Sequence, residues 1–309
     1  MSKRIAIFGS SGFVGRSLVR RLATEGIPLV CVQRSAVDFA PGQDVAVHTV
    51  PDTQRETLRA VLASYEVSVI INVASYGVHP ADRDASIAFD ANVRLPCDLV
   101  KVARECGASI VHAGSASEYA APGEKTAVTE DAPLQVGSLY GGTKAAGMIA
   151  AHVMAVALSV PFTGLRFFNI YGPGEAPHRL FPSLFTALAA NQHVKLSDGL
   201  QVRDFVHIDD VTRVIKRAAE VTGTLHHDQN ILNVATGRGH SVREVAIKVC
   251  DAIRANRSLL AFGDLPRRQD DIPWIVGSPK RAESLLGWSA AISLDRGIAT
   301  MLPETSEQE

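Results

Sequence analysis

Short Val/Ile-rich runs alternate with longer amphipathic stretches over the first half of the chain, and this alternation constrains the fold more than any other feature. Strands separated by helix-length segments join through crossovers, which makes the sheet mostly parallel with both faces covered. Strands are predicted at Arg4 to Phe8, Leu29 to Gln33, Ala46 to Val50, Ser68 to Ala74 and Ser109 to Ala113. Helices fall between them. The first, after Gly12, puts Val14, Leu18, Val19 and Leu22 on one side and Arg16, Arg20 and Arg21 towards water. The helix after Tyr140 is different: Ala145, Ala146, Met148, Ile149, Ala150, Ala151, Val153, Met154, Ala155 and Val156 leave almost no polar face. Such a helix needs cover on both sides, from its own sheet and from a second copy of the chain, or else complete burial within one chain. After Pro161 the alternation becomes irregular, punctuated by Tyr171-Gly172-Pro173-Gly174, as in a smaller lobe interleaved with late sheet elements.

Composition works by exclusion. A chain of 309 residues can bury a full core without disulfide or metal staples. A net charge of -1 argues against a nucleic-acid surface or a polybasic membrane contact. Cys31, Cys97, Cys106 and Cys250 show no C-x-x-C spacing and sit in apolar stretches, which reads as reduced and buried. Neither a signal peptide nor a membrane span is legible, so the expectation is a cytoplasmic protein. The histidines show no metal-ligand spacing, and His226-His227-Asp228 reads as a polar loop; no metal is expected.

Directly after the opening strand comes Gly9-Ser10-Ser11-Gly12-Phe13-Val14-Gly15. Gly9 allows a tight turn, Gly12 lets backbone approach a pyrophosphate, and Gly15 lets the helix pack close to the sheet, while the helix N-terminus offers N–H groups to the phosphates. The G-x-x-G-x-x-G spacing leans towards short-chain-type reductases. At the end of the second strand an acidic residue would serve NAD and a basic one NADP. The chain reads Cys31-Val32-Gln33-Arg34-Ser35, with no carboxylate until Asp38. Arg34 and Ser35 suit the extra phosphate, so NADP(H) is favoured and NAD(H) stays open.

Tyr140 and Lys144 stand four residues apart, on one helix face, with Ser115 twenty-five residues upstream. A phenol beside a fixed positive charge has its phenolate favoured, which suits acid-base work at a carbonyl or alcohol. Ser115 falls just past the end of a predicted strand, where ligands of open α/β sheets bind.

With these residues the chain resembles an extended short-chain dehydrogenase/reductase of the NAD-dependent epimerase/dehydratase family acting on nucleotide sugars. Matching segments run in order through Gly9 to Gly15, Asn72-Val73-Ala74-Ser75, Ala91-Asn92, Gly114 to Tyr119, Tyr140-Gly141-Gly142-Thr143-Lys144, Arg166 to Gly174, Arg203 to Asp210 and Leu286-Gly287-Trp288. The resemblance implies a Rossmann-type doubly wound parallel sheet with a smaller C-terminal α+β substrate lobe. Residues 1–165 would form the dinucleotide-binding domain, with segments near 205–235 returning to it. Residues 166–303 would be mainly the substrate lobe, and 304–309 a disordered tail. It makes Tyr140 the general acid/base, gives Lys144 the nicotinamide ribose and the lowering of the tyrosine's pKa, and puts Ser115 on the reacting oxygen. Ser11, Phe13, Val14, Ala74, Ser75 and Asn92 join the cofactor site. Ser117, Asn169, Arg203 and Arg268 join Ser115 in holding a nucleotide-diphosphate sugar, the arginines through bidentate guanidinium contacts. Tyr119 lacks a lysine four residues on and is expected to be structural or pocket-lining. Asp209 and Asp210 are expected to cap the helix that follows them.

Family 4,6-dehydratases carry an Asp-Glu pair directly after the position of Ser115, where this chain has Ala116 and Ser117. Dehydration is therefore not expected. The remaining expectations are an NADPH-dependent reductase of a 4-keto-6-deoxy sugar nucleotide and, alternatively, a 4-epimerase with retained NAD(P). A non-catalytic dinucleotide-binding regulator would typically lack the Tyr or the Lys. A homodimer is expected.

Overall fold

The computed structural model describes residues 3–34, 44–79, 81–135, 137–267 and 271–302. Ser35, Arg268 and the tail from 303 lie outside them. The first half contains β1 (Arg4–Phe8), α1 (Phe13–Thr24), β2 (Leu29–Gln33), β3 (Val45–Thr49), α2 (Arg55–Leu62) and β4 (Val67–Asn72). It continues through α3 (Ala85–Phe89), a π-type turn over Asp90–Arg94, α4 (Leu95–Cys106), β5 (Ser109–Ser115) and α5 (Leu139–Ala157). There follow β6 (Phe162–Phe167), β7 (Asn169–Tyr171), α6 (Leu180–Ala189), β8 (Val194–Leu196), β9 (Val202–His207) and α7 (Ile208–Val221). The chain ends with β10 (Ile231–Val234), β11 (Gly239–Ser241), α8 (Val242–Ala252), β12 (Leu260–Phe262), β13 (Trp274–Ile275), α9 (Lys280–Leu286) and α10 (Leu294–Ala299).

Among the described residues β3, β2, β1, β4, β5, β6 and β10 form, in that order, a parallel seven-stranded sheet. The predicted first and second strands match β1 and β2, and the next three agree within two residues at each end. Strand order reverses between β1 and β4, which opens a crevice at their carboxyl ends. Alternation along β1 sends Ala6 and Phe8 into a core with Leu58, Leu99, Met148 and Phe162, and Ile7 into a core on the opposite face with Leu18, Leu22 and Ile208. α1 buries Leu18, Val19 and Leu22 as expected; Val14 is half-buried, and Arg21 turns back to give a hydrogen bond to Thr212 at 2.8 Å.

Beyond Phe167 the chain builds a second layer in which β9 pairs with β7, β11 and β13, while β8 pairs with β12. Its core centres on Tyr171, Phe181, Leu184, Phe205 and Val249. α7 is capped by His207, whose Nδ1 accepts from the Asp209 N–H at 3.2 Å. The expectation that Asp209 and Asp210 cap it does not hold. Asp210 is fully buried and accepts the N–H groups of Ala291 and Ile292 at 3.0 and 2.9 Å, tying the C-terminal segment to this helix. Cys31 and Cys250 are buried; Cys97 and Cys106 are half-buried.

Candidate active site

The β1–α1 loop is built on two backbone contacts. At Gly9, φ is +81° and an added Cβ would lie 2.6 Å from the Ala74 nitrogen, so β1 and the segment after β4 touch through bare backbone. A Cβ on Gly15 would lie 2.1 Å from the Gly9 oxygen. Gly12 differs: its added Cβ would meet only the Gly9 oxygen, at 3.4 Å, and its φ of -77° suits any residue. What a side chain at Gly12 would fill is the cleft itself. α1 begins without a side-chain cap and without an acidic residue in its first turn. Its first N–H groups are therefore without a side-chain partner, and the residues that carry them, Gly12 to Gly15, line the cleft. This cradle fits a dinucleotide pyrophosphate.

The cleft is a cavity of about 940 Å³. Gly9, Ser11, Gly12, Phe13, Val14, Gly15, Arg34, Ala74, Ser75, Ser115, Ser117, Tyr140, Lys144 and Asn169 all line it. Arg34 is exposed at the end of β2. Asp52, from the loop after β3, lines the same cavity, a carboxylate that the sequence reading around Arg34 did not place there. A second cavity of about 390 Å³ adjoins it, sharing Val78, Asn169, Ile170, Glu175, His178 and Arg179, and is lined further by Arg203, Arg267 and Asp271.

Ser115 ends β5 and caps the short turn Ala116–Glu118, its Oγ accepting from the Ser117 N–H at 3.1 Å. Tyr140 lines the same cavity, and the Ser115 hydroxyl favours the ionised form of its phenol. α5 presses onto this turn closely enough that a Cβ on Gly141 would collide with the Ser117 carbonyl. That contact holds Tyr140 beside Ser115. Lys144, one turn further and 2% exposed, donates from Nζ to the Ala113 carbonyl at 2.5 Å. Burial lowers its pKa to about 8. For Tyr140 the direction is opposite to the sequence expectation: burial pushes the phenol up from its ordinary value, and the Ser115 hydroxyl pulls it back. The Lys144 ammonium is held by the Ala113 carbonyl, and burial of the phenol is the largest effect on its ionisation.

Asn92, expected on the dinucleotide, faces elsewhere. Its Oδ1 accepts from the Tyr76 N–H at 3.0 Å, and its Nδ2 donates to the Tyr76 carbonyl and the Thr143 hydroxyl, both at 2.9 Å. With its amide committed, it braces the cleft wall against α5. Tyr119 is fully buried, its hydroxyl donating to Asn233 Oδ1 at 2.6 Å and accepting from Arg166 at 2.9 Å. Arg166 also pairs with Glu118 at 2.8 Å, and Glu118 accepts the Ser115 N–H at 2.7 Å. The phenol that competes with Tyr140 is thus part of a buried network under the serine.

Arg203 lines the second cavity, where it pairs with Asp271. Arg267 pairs with Asp198 at 2.6 Å. Three groups that the sequence reading missed stand where the cavities meet: Glu175, His178 and Arg179. Their signal is Gly172-Pro173-Gly174, a turn at the end of β7 that carries the next residues to the cleft. His226, His227 and Asp228 do bring ligand atoms within 4.8 Å of one another, but on an exposed turn that lines neither cavity. No described helix is long and apolar enough to cross a membrane.

Sheet order, glycine loop and the Ser-Tyr-Lys set define an extended short-chain dehydrogenase/reductase with a Rossmann-type sheet, an enzyme class. The NAD dependent epimerase/dehydratase family matches residues 5–235, and the chain belongs to that family. It is 29% identical to a dTDP-glucose 4,6-dehydratase of Streptomyces griseus, over 97% of this chain and 93% of that protein. A UDP-glucose 4-epimerase of Mycolicibacterium smegmatis is 26% identical, over 96% of each. The solved structure of MoeE5 in complex with UDP-glucuronic acid and NAD has a TM-score of 0.84 and 27% identity, covering 96% of this chain and 97% of that one.

Proposed function

We propose that the protein is an NADPH-dependent reductase of a nucleotide-linked 4-keto-6-deoxy sugar. The observation that carries this reading is that Ser115, Tyr140 and Lys144 line the same cavity as the glycine loop. The dinucleotide, when bound, supplies hydride to the C4 carbonyl. Tyr140 protonates the oxygen at C4, and Ser115 donates a hydrogen bond to it while charge develops. Lys144 carries a positive charge below its pKa of about 8, within the same cavity. Ser11, Phe13, Val14, Ala74 and Ser75 would wall the dinucleotide, and Arg34 would take its 2′-phosphate. Asn169 and Arg203 would reach the diphosphate of the substrate; Arg203 would exchange Asp271 for a phosphate, a partner matched to its fork.

Against dehydration stands the segment directly after Ser115. Ala116 and Ser117 follow Ser115, and the next carboxylate, Glu118, is fully buried and held by Arg166. The second reading is a 4-epimerase that retains its dinucleotide. It is favoured by Asp52 in the cleft, by the relative named UDP-glucose 4-epimerase and by MoeE5 binding NAD.

A cofactor assay separates the two. The reductase consumes one NADPH for each 4-keto-6-deoxy sugar nucleotide; interconversion of C4 epimers without net cofactor change would replace it with the epimerase. Arg34→Ala should cost NADPH about tenfold or more in affinity and leave NADH unchanged. An equal loss for both would remove the argument for NADPH.

We place the enzyme in the cytoplasm as a homodimer. Ile149, Val153 and Val156 expose 49, 60 and 46% of their surface along one side of α5, an apolar stripe that a second copy would cover. Light scattering on Val153→Asp should then give a monomer where the unmodified chain gives twice that mass; a monomeric unmodified chain would sink the proposal.

A further inference from the structure

After β7 the chain turns through Gly172 and Gly174, with φ of +142° and +87°, and passes the dinucleotide loop so closely that a Cβ on Gly174 would sit 4.0 Å from the Phe13 ring. The turn delivers Glu175 to the seam between the two cavities, both of which it lines. Its side chain is only 5% exposed. Oε1 accepts from Arg179 Nε at 3.3 Å, while Oε2 is buried with no hydrogen-bond partner among the described residues. The Arg179 charge in turn reaches the Tyr140 phenol, which it favours in the ionised form. Glu175 therefore lines the same cavity as the reacting groups without belonging to the Ser-Tyr-Lys set.

A buried carboxyl oxygen left without a partner costs free energy that a structural position has no reason to carry. A ligand donor removes the cost. We infer that Glu175 is a sugar-recognition residue, its Oε2 accepting a hydrogen bond from a ring hydroxyl of the hexose whose C4 oxygen meets Tyr140. A hydroxyl fits because it can donate to the carboxyl oxygen whether or not the group is ionised. The diphosphate then lies further along the second cavity, towards Arg203. This inference rests on the nucleotide-sugar reading above and adds the residue that grips the sugar.

The test is calorimetric titration of the full chain, saturated with NAD+, using UDP-glucose and dTDP-glucose as probes and UDP and dTDP as their sugar-free counterparts. Glu175→Ala should weaken the better-bound sugar nucleotide about tenfold or more and leave its nucleoside diphosphate within about twofold. An equal effect on both, or on neither, overturns the inference. NAD+ affinity reports an intact fold. If Glu175→Ala loses it, Glu175→Gln carries the same comparison, with about a threefold loss confined to the sugar nucleotide and no differential loss overturning the claim. An unmodified chain that binds none of the four probes refutes the nucleotide-sugar reading itself, and the inference falls with it.

Discussion

Replacing Glu175 with Gln should make the protein more stable at alkaline pH and change little in acid. Burial pushes the Glu175 carboxyl from its ordinary value of 4.5 up to about 7, offset in part by Arg179. The folded state thus holds this proton more tightly than the unfolded chain does. Its stabilising contribution is complete below pH 4.5 and is lost as pH rises through about 7. At 1.36 kcal/mol for each pH unit between those values the cost of ionising it in place comes to about 3 kcal/mol. Gln keeps the shape and the acceptor for Arg179 and never ionises. Thermal unfolding of both chains from pH 5 to 9 should give near-coincident melting temperatures at the acid end. The Gln variant should pull ahead by about 5 °C at the alkaline end, at about 2 °C per kcal/mol for a chain of this size. Parallel curves across the whole range would refute the reasoning, because they would mean that Glu175 ionises as readily folded as unfolded.

Three further outcomes follow from geometry. Gly12→Ala should leave the melting temperature within about 2 °C and weaken dinucleotide binding about tenfold or more, since its Cβ enters the cleft and not the packed loop; Gly15→Ala, which collides with the Gly9 carbonyl, should instead prevent soluble folding. Arg166→Ala leaves the Glu118 carboxylate buried without its partner and should cost about 3–5 kcal/mol by chemical denaturation, against under 1 kcal/mol if the pair were dispensable.

What the sequence made legible was what repeats or is local. The centres of strands β1, β2, β4 and β5 are largely apolar and buried on both faces, and such stretches stand out without knowledge of partners. The glycine loop is local in part: Gly15 packs on the Gly9 carbonyl within the strand-turn-helix unit, whereas Gly9 meets the backbone of Ala74 beyond β4. Tyr140 and Lys144 share a helix face by periodicity alone. The hidden features were those that depend on distant partners. Glu118 and Arg166 are far apart in sequence and meet because β5 and β6 are neighbours, with Tyr119 and Asn233 completing the network. Asn92 shows the same limit in reverse: its position beside α5 could not be read from the residue itself, and its amide turns out to belong to Tyr76 and Thr143. Asp210 lies where a helix cap would be expected, and only the return of residues 291 and 292 reveals its role. The direction of the pKa at Tyr140 escaped for a related reason. Spacing places an ammonium near the phenol, but it does not show that the ammonium is bonded to the Ala113 carbonyl.

The account turns on the Tyr140 hydroxyl as the proton source for hydride transfer at C4. Tyr140→Phe deletes that one atom and keeps the ring that packs the cleft. Following nicotinamide absorbance with a 4-keto-6-deoxy sugar nucleotide, alongside the dinucleotide dissociation constant, the variant should lose about a hundredfold or more in turnover while binding the dinucleotide as before. Turnover within a few-fold of the unmodified enzyme would contradict the account.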